Sequence, residues 1–403
     1  MKLLILSSKC GNGHNQAGIS ICERLNRIDG FKAENIDVFD IIFQNFSKAF
    51  YKGHDALALS KGYSFLFNAF HKSEKSNELA RRTFVSSFID KFKNLIEDYR
   101  PDIIISTYSM VNDFVAYYKH NYEDIPLITW VTDVKVRNFW VNPYIDAYIV
   151  ADTRSKLDLL RMGVNEGKIY IGGIPVSEDF VDIKRTEPED GEMKKLLLMG
   201  GGLGMFPNSH KLFKELNDFK DIDITVITGK NKSLHKHLKK FENLTVLPFA
   251  KNTHKMMAST NLLVTKPGGL TIFEAIYSQT PMLLFKPELD QEIYNMEYII
   301  EKGCGDVLRE DALIEEIYQT LSDDNKLRTY KENCIKLKES IEKDVLIRAI
   351  EDVSLKNTKS EVFSDYYQSD INNINMDMLI ANSSSMMGDL FSSSKQDIKN
   401  IDD

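Results

Sequence analysis

Cysteine, long apolar runs and positive charge are all scarce in this chain of 403 residues, and each scarcity narrows what it can be. The four cysteines, Cys10, Cys22, Cys304 and Cys334, stand without metal or disulfide spacing, which points to a reducing, cytosolic setting. No uncharged stretch approaches the ~18 residues that a membrane-spanning helix needs, so contact with a bilayer is expected only at its surface. The apolar start, Met1 to Leu6, is too short for a signal peptide, and Gly11-Asn12-Gly13-His14 follows where a small-residue cleavage site would stand. A formal charge of −8 argues against a general nucleic-acid binder. No acid or histidine cluster has the look of a metal site. The one suggestive pair, Asp221-Ile222-Asp223, precedes its strand instead of ending it and reads as a surface turn, so no metal is expected to be required.

What the chain does have is glycine turns at the ends of short apolar strands. Leu262-Leu263-Val264 leads into Lys266-Pro267-Gly268-Gly269-Leu270-Thr271-Ile272-Phe273-Glu274-Ala275, which reads as strand, glycine turn and helix N-terminus. Such a turn lets a phosphate approach the backbone, where the first helical N–H groups and the macrodipole bind an anion. Glu274, about one turn into the helix, stands where a carboxylate can accept hydrogen bonds from a ribose diol. An ordinary strand–helix turn with a surface glutamate is the plainer alternative. A second turn, Gly11-Asn12-Gly13-His14, follows the strand at residues 2–7. It could be a dinucleotide fingerprint with Asp37 or Asp40 as its ribose acid, but Gln16 stands where that pattern needs glycine, and the pattern gives no reason for His14. A third, Gly200-Gly201-Gly202-Leu203-Gly204, follows Leu196-Leu197-Leu198. Three turns spread over two halves predict an α/β protein of two nucleotide-binding-type domains facing one cleft.

The predicted organisation is an amino-terminal domain over 1–182, a charged linker over 183–194 and a second domain over 195–351 ending in helices. Strands are expected near 2–7, 34–38, 102–106, 126–131 and 146–151, then near 195–199, 223–227, 244–247, 262–265 and 281–285. Residues 352–403 hold nine acids and four bases with little apolar content and are expected to be a disordered acidic tail. Residues 48–100 carry ten bases against six acids, beside or just downstream of Phe43, Phe46, Tyr63, Phe65, Phe67 and Phe70. Bases such as Arg81 and Arg82 next to bulky aromatics suit an anionic membrane surface, where each contributes about 1 kcal/mol. The alternative is that the aromatics are core and the bases a solvated face.

Together these features resemble the monogalactosyldiacylglycerol synthases and the bacterial diacylglycerol glucosyltransferases, and more distantly the glucosaminyltransferase that makes the lipid-linked peptidoglycan precursor. The resemblance spans about residues 1–350. It rests on Gly11-Asn12-Gly13-His14, Trp130-Val131-Thr132-Asp133, Phe139-Trp140-Val141, Gly172-Gly173-Ile174-Pro175-Val176, Gly200-Gly201-Gly202, Lys266 to Ala275, and Asp290-Gln291-Glu292 with Asn295. It implies a GT-B fold of two Rossmann-like domains. It also implies metal-independent, inverting transfer of a hexose from UDP-glucose or UDP-galactose to diacylglycerol, by a peripheral protein on the cytoplasmic face of the membrane.

By the same resemblance His14 matches the general base, a role that suits imidazole because the attacking alcohol must lose its proton near neutral pH. Asp133 is a candidate to orient His14 or the acceptor. Glu274 matches the ribose ligand, with Gly268 and Gly269 at the diphosphate and Gly13, Gly201, Gly202, Lys266, Leu270 and Thr271 around it. Gln291 and Glu292 match sugar contacts, flanked by Asp290 and Asn295, and Phe249 matches a position near uracil, although a plain core phenylalanine is the competing reading. Asn142 departs from the histidine that relatives carry after Trp-Val, which puts any acceptor contact there in doubt. Two other readings stay open: an NAD-dependent oxidoreductase, which would use only the first glycine turn, and a UDP-sugar-binding membrane sensor without turnover. Which hexose is donated is not legible.

Overall fold

The computed structural model describes residues 1–9, 13–43, 76–186, 191–287 and 289–355, without the side chains of 43, 76–84 and 290. The first half builds strands β1 (Lys2–Ser7), β2 (Lys32–Asp37), β3 (Ile103–Ser106), β4 (Leu127–Trp130), β5 (Ala147–Val150) and β6 (Ile169–Ile171). Among them run helices α1 (Gly13–Leu25), α2 (Val38–Phe43), α3 (Ser76–Tyr99), α4 (Ser109–Asn121) and α5 (Thr153–Arg161), and α6 (Glu178–Val181) follows β6. These strands form one parallel sheet in the order β2-β1-β3-β4-β5-β6. Every residue of β3, β4 and β5 is buried, as expected where helices cover both faces of a parallel sheet.

The second half repeats the plan with β7 (Lys194–Met199), β8 (Ile222–Ile227), β9 (Leu244–Leu247), β10 (Leu262–Thr265), β11 (Met282–Leu284) and β12 (Gly305–Val307). Its helices are α7 (Ser209–Leu216), α8 (Lys232–Leu238), α9 (Thr253–Ala258), α10 (Gly269–Tyr277), α11 (Asp290–Glu301), α12 (Leu313–Ser322) and α13 (Asp324–Ser340), and α14 (Val345–Leu355) follows them. The order is β12-β11-β10-β7-β8-β9. In parallel α/β sheets ligands bind beyond the carboxyl ends of the strands where the order reverses. Here that point lies between β1 and β3 in the first lobe and between β7 and β10 in the second. The glycine turns of the sequence follow β1, β7 and β10, three of those four strands.

Helix α3 shows how sequence sets packing. Val85, Ile89, Phe92 and Ile96 fall on one face at helical spacing and are buried against Leu4, Ile104 and Phe114. Truncating Phe92 to alanine would cost about 3–5 kcal/mol. Two of its bases serve the fold: Lys91 Nζ donates to the Ile42 carbonyl at 2.8 Å, and Lys93 lies 4.6 Å from the centre of the Tyr122 ring. Over residues 85–99 the described lysines are thus engaged within the fold and Phe92 is core, while the aromatics singled out in the sequence all lie upstream of this segment. Phe46, Tyr63, Phe65 and Phe67 lie outside the described residues, as do the side chains of Phe43, Arg81 and Arg82.

The chain leaves the first lobe through Gly172 to Val176, where the Trp130 indole donates to the Gly173 carbonyl at 2.9 Å. It returns with α14, which differs from expectation. Val345, Leu346, Ala349, Ile350 and Val353 are buried against Leu3, Ile5, Ile103 and Ile149, so the helix belongs to the core of the first lobe. Residues 352–355, expected to open a disordered tail, are its last turn. The Tyr170 hydroxyl donates to Asp352 at 2.6 Å, and burial together with that carboxylate pushes its pKa up to about 12. The rest of the expected tail, 356–403, lies outside the described residues. Arg154 reaching Glu301 at 2.8 Å and Lys302 reaching Asp152 at 2.9 Å tie the lobes across their seam.

Candidate active site

His14 sits in the first turn of α1, directly beyond the carboxyl end of β1. Its Nδ1 lies 2.9 Å from the Thr107 carbonyl and 2.7 Å from Thr132 Oγ1. A carbonyl can only accept, so Nδ1 carries the proton and Nε2 keeps its lone pair. Thr107 Oγ1 donates in turn to the His14 carbonyl at 2.9 Å, clamping the backbone as well as the ring. Tyr108 meets the ring edge-on with centroids 5.0 Å apart, and Trp140 lies 6.4 Å away. Burial holds the His14 pKa below its ordinary 6.5, while the Asp133 charge and the Thr107 carbonyl pull the other way. The imidazole is therefore neutral near pH 7 and available as a base.

Asp133 does not hydrogen-bond the ring. Its carboxylate accepts from the Trp140 indole at 2.9 Å, and it reaches His14 only through its charge. Asn142 is buried as a turn residue: its Oδ1 accepts from the Tyr144 N–H at 3.0 Å, and its backbone N–H donates to the Tyr148 hydroxyl at 3.0 Å. Asp37 accepts from the backbone N–H groups of Lys9 and Phe39, each at 2.9 Å, and the Lys9 ammonium pairs with Asp40. Neither acid stands free for the ribose of a dinucleotide.

In the second lobe α10 begins at Gly269 with Gly268 before it, and no side chain caps its first turn. The first N–H groups of any helix lack partners within it, so those of Gly269, Leu270 and Thr271 are available to an anion. The Asn295 amide donates to the Pro267 carbonyl at 2.9 Å and holds the turn in place. Gly201, at φ +68°, lies over Lys266, where a β-carbon would come within 2.8 Å of Lys266 Cε. Lys266 Nζ pairs with Glu292 at 2.7 Å, a carboxylate whose side chain is only 8% exposed. Glu274 differs from these: among the described residues nothing donates to its carboxylate, and burial alone pushes its pKa up to about 8. A partly buried acid without donors suits a ligand that brings its own hydroxyls.

The two lobes meet at Thr132. A β-carbon on Gly269 would stand 3.3 Å from the Thr132 carbonyl, so the residue that holds His14 also faces the start of α10. His14 and Gly269 thus lie on either side of Thr132, while Lys266 links the Gly201 turn to Glu292 and Asn295 holds the turn before α10, Glu292 and Asn295 both coming from α11. Gln291 is half-buried in the first turn of α11, and the Asp290 side chain lies outside the described residues. Phe249, in the loop after β9, is 65% exposed, which rules out the core reading. Thr107, Tyr108, Thr132 and Trp140 join the site although no chemistry in the sequence marks them as members. Thr107 directly follows β3 at the reversal point and Thr132 lies just past β4, the next strand over, a signal of strand order alone. Among the described residues no three acids, histidines or cysteines converge as a metal site would require.

Both lobes of the chain match known proteins. Residues 14–176 match the family model for monogalactosyldiacylglycerol (MGDG) synthase, and residues 201–348 match that for the glycosyltransferase family 28 C-terminal domain. The processive diacylglycerol beta-glucosyltransferase of Staphylococcus saprophyticus is 29% identical over 355 residues, covering 82% of this chain and 88% of that protein. The Bacillus subtilis protein of the same name is 26% identical over 362 residues, covering 82% and 90%. Among solved structures, Acinetobacter baumannii MurG superposes with a TM-score of 0.58 at 11% identity, covering 88% of this chain and 99% of that one, a likeness of fold. With one lobe matched to each model, the chain carries a monogalactosyldiacylglycerol-synthase domain followed by a glycosyltransferase family 28 C-terminal domain in a two-sheet GT-B fold.

Proposed function

We propose that the protein moves a hexose from a UDP-sugar to the free hydroxyl of diacylglycerol, forming a glycolipid at a membrane surface with inversion at the anomeric carbon. His14 Nε2 takes the proton of the attacking hydroxyl as the new C–O bond forms, and the bond to the diphosphate breaks on the opposite face. The electron pair of that bond leaves on UDP. Its charge is met by the uncapped N–H groups of α10 and by the helix dipole, with Lys266 nearby but already paired to Glu292. Glu274 holds the ribose diol, Phe249 stacks on the uracil, and Gln291 faces the sugar. The observation that carries the reading is Thr132, whose hydroxyl lies 2.7 Å from the ring of the base and whose carbonyl lies 3.3 Å from where a β-carbon on Gly269, at the start of the donor helix, would stand. Names borne by relatives favour glucose, and galactose is the competing donor.

No helix among the described residues is long and apolar enough to cross a membrane, which fits a protein bound at its cytoplasmic face through the anionic headgroups. The deciding experiment supplies UDP-[14C]glucose or UDP-[14C]galactose with diacylglycerol micelles in EDTA and extracts the lipid. Label in the lipid phase with equal release of UDP supports the proposal, and survival of the activity in EDTA supports a reaction without a metal. Binding of UDP with no label in lipid from either donor would instead favour a sensor.

A further inference from the structure

We infer that Thr132 is the positioning residue of this transfer, its hydroxyl holding the His14 ring in its working orientation and its carbonyl seating that ring against the donor helix. The inference rests on the reading of His14 as base. It goes beyond that reading because the sequence motif Trp130-Val131-Thr132-Asp133 points to the carboxylate as the orienting group, and the structure assigns that work to the threonine.

A histidine base is usually steered by a carboxylate on its far nitrogen, which fixes the tautomer and steadies the imidazolium. Here that nitrogen faces two neutral acceptors, the Thr107 carbonyl at 2.9 Å and Thr132 Oγ1 at 2.7 Å. The carbonyl alone fixes which nitrogen is protonated. One acceptor leaves the ring free to swing about that bond, and a second on the other side removes the freedom. Thr132 Oγ1 lies 3.5 Å from the Thr107 carbonyl, so its own hydrogen turns there and its lone pairs face the ring. When His14 takes the proton of the acceptor, both contacts to Nδ1–H strengthen, because bonds from a charged donor are the stronger ones. Asp133, held by Trp140, is the charged neighbour, and Tyr108 is the titratable ring at the imidazole edge. Buried at the seam, Thr132 has its carbonyl within 3.3 Å of the point where a Gly269 side chain would begin. One residue thus links the orientation of the base to the start of the helix that receives the diphosphate.

Thr132→Val keeps the shape of the side chain and removes the acceptor, and Thr132→Ser keeps the acceptor. We expect the valine variant to lose about tenfold or more in kcat at unchanged KM for the donor. We also expect the acid limb of its pH–rate profile to move to lower pH, since the imidazolium loses one of its two supports, and serine to restore most of the rate. The matching readout without turnover is an NMR titration of the His14 ring with UDP bound, where valine lowers the ring pKa and serine does not. If wild type transfers sugar yet valine leaves both the ring titration and the pH profile unchanged, Thr132 is not the positioning residue. A fall in kcat with a matching rise in KM and a lower Tm, not restored by serine, would equally overturn it. If the ring titration moves as expected while wild type transfers no hexose, the positioning stands and the proposed reaction fails.

Discussion

Glu274→Gln separates what a buried acid costs the fold from what it gives the ligand. In the folded chain burial raises the carboxyl from its ordinary 4.5 to about 8, and no described group donates to it. The folded state therefore holds this proton more tightly than the unfolded chain does. The favourable contribution is complete below about pH 4.5, declines as pH rises and is gone above about 8. At roughly 1.4 kcal/mol per pKa unit, burying this group costs the fold about 3 kcal/mol at pH 7 and levels off at about 5 kcal/mol above pH 8, where it ionises. Glutamine carries no such cost at any pH. Urea unfolding of both proteins at pH 5, 7 and 9 should show the variant gaining on wild type by those amounts as pH rises. In wild type UDP should bind more tightly between pH 6 and 8.5, because the ribose hydroxyls donate to the ionised carboxylate, and the variant should bind weakly with no pH trend. A stability difference that stays constant from pH 5 to 9 would refute the argument from burial.

Lys266→Met leaves the Glu292 carboxylate buried without its partner and should destabilise the second lobe by about 3 kcal/mol. Lys266→Met with Glu292→Leu should recover most of that loss, and a double-mutant cycle of urea midpoints shows whether the pair is coupled. Binding to vesicles that contain anionic lipid should weaken steeply between 50 and 500 mM salt, since screening shortens the reach of the bases between residues 48 and 82. Sedimentation of the protein with vesicles measures it, and binding indifferent to salt would contradict the electrostatic argument.

Most of the frame was legible because its signals are local. Apolar runs of four to six residues ending in a glycine turn mark β1, β7 and β10, and helical spacing marks α10 and α3. The strands that escaped notice, β6 (Ile169–Ile171) and β12 (Gly305–Val307), are three residues long, below the length at which alternation can be told from chance. Helix α14 was read with the lobe it follows in sequence, whereas its apolar face is complementary to the first sheet, a fact of tertiary packing with no local signal. The site divides in the same way. His14 and Glu274 stand at motif positions whose chemistry announces itself. Thr107 and Thr132 carry common side chains, and their importance comes from the strand order that places β3 beside β1 and β4 next to β3. Asp133 looked like the orienting group because a carboxylate beside a histidine is the usual pairing, but the Trp140 indole holds it.

The central claim is that His14 removes the proton of the acceptor alcohol in a cleft shared by both lobes. His14→Gln tests it most directly, measured in one preparation for transfer of labelled hexose to diacylglycerol and for UDP affinity by calorimetry. The account predicts that transfer falls by ~10²-fold or more while the Kd for UDP stays within a few-fold. Transfer undiminished in the variant, or lost only in proportion to UDP binding, would contradict it.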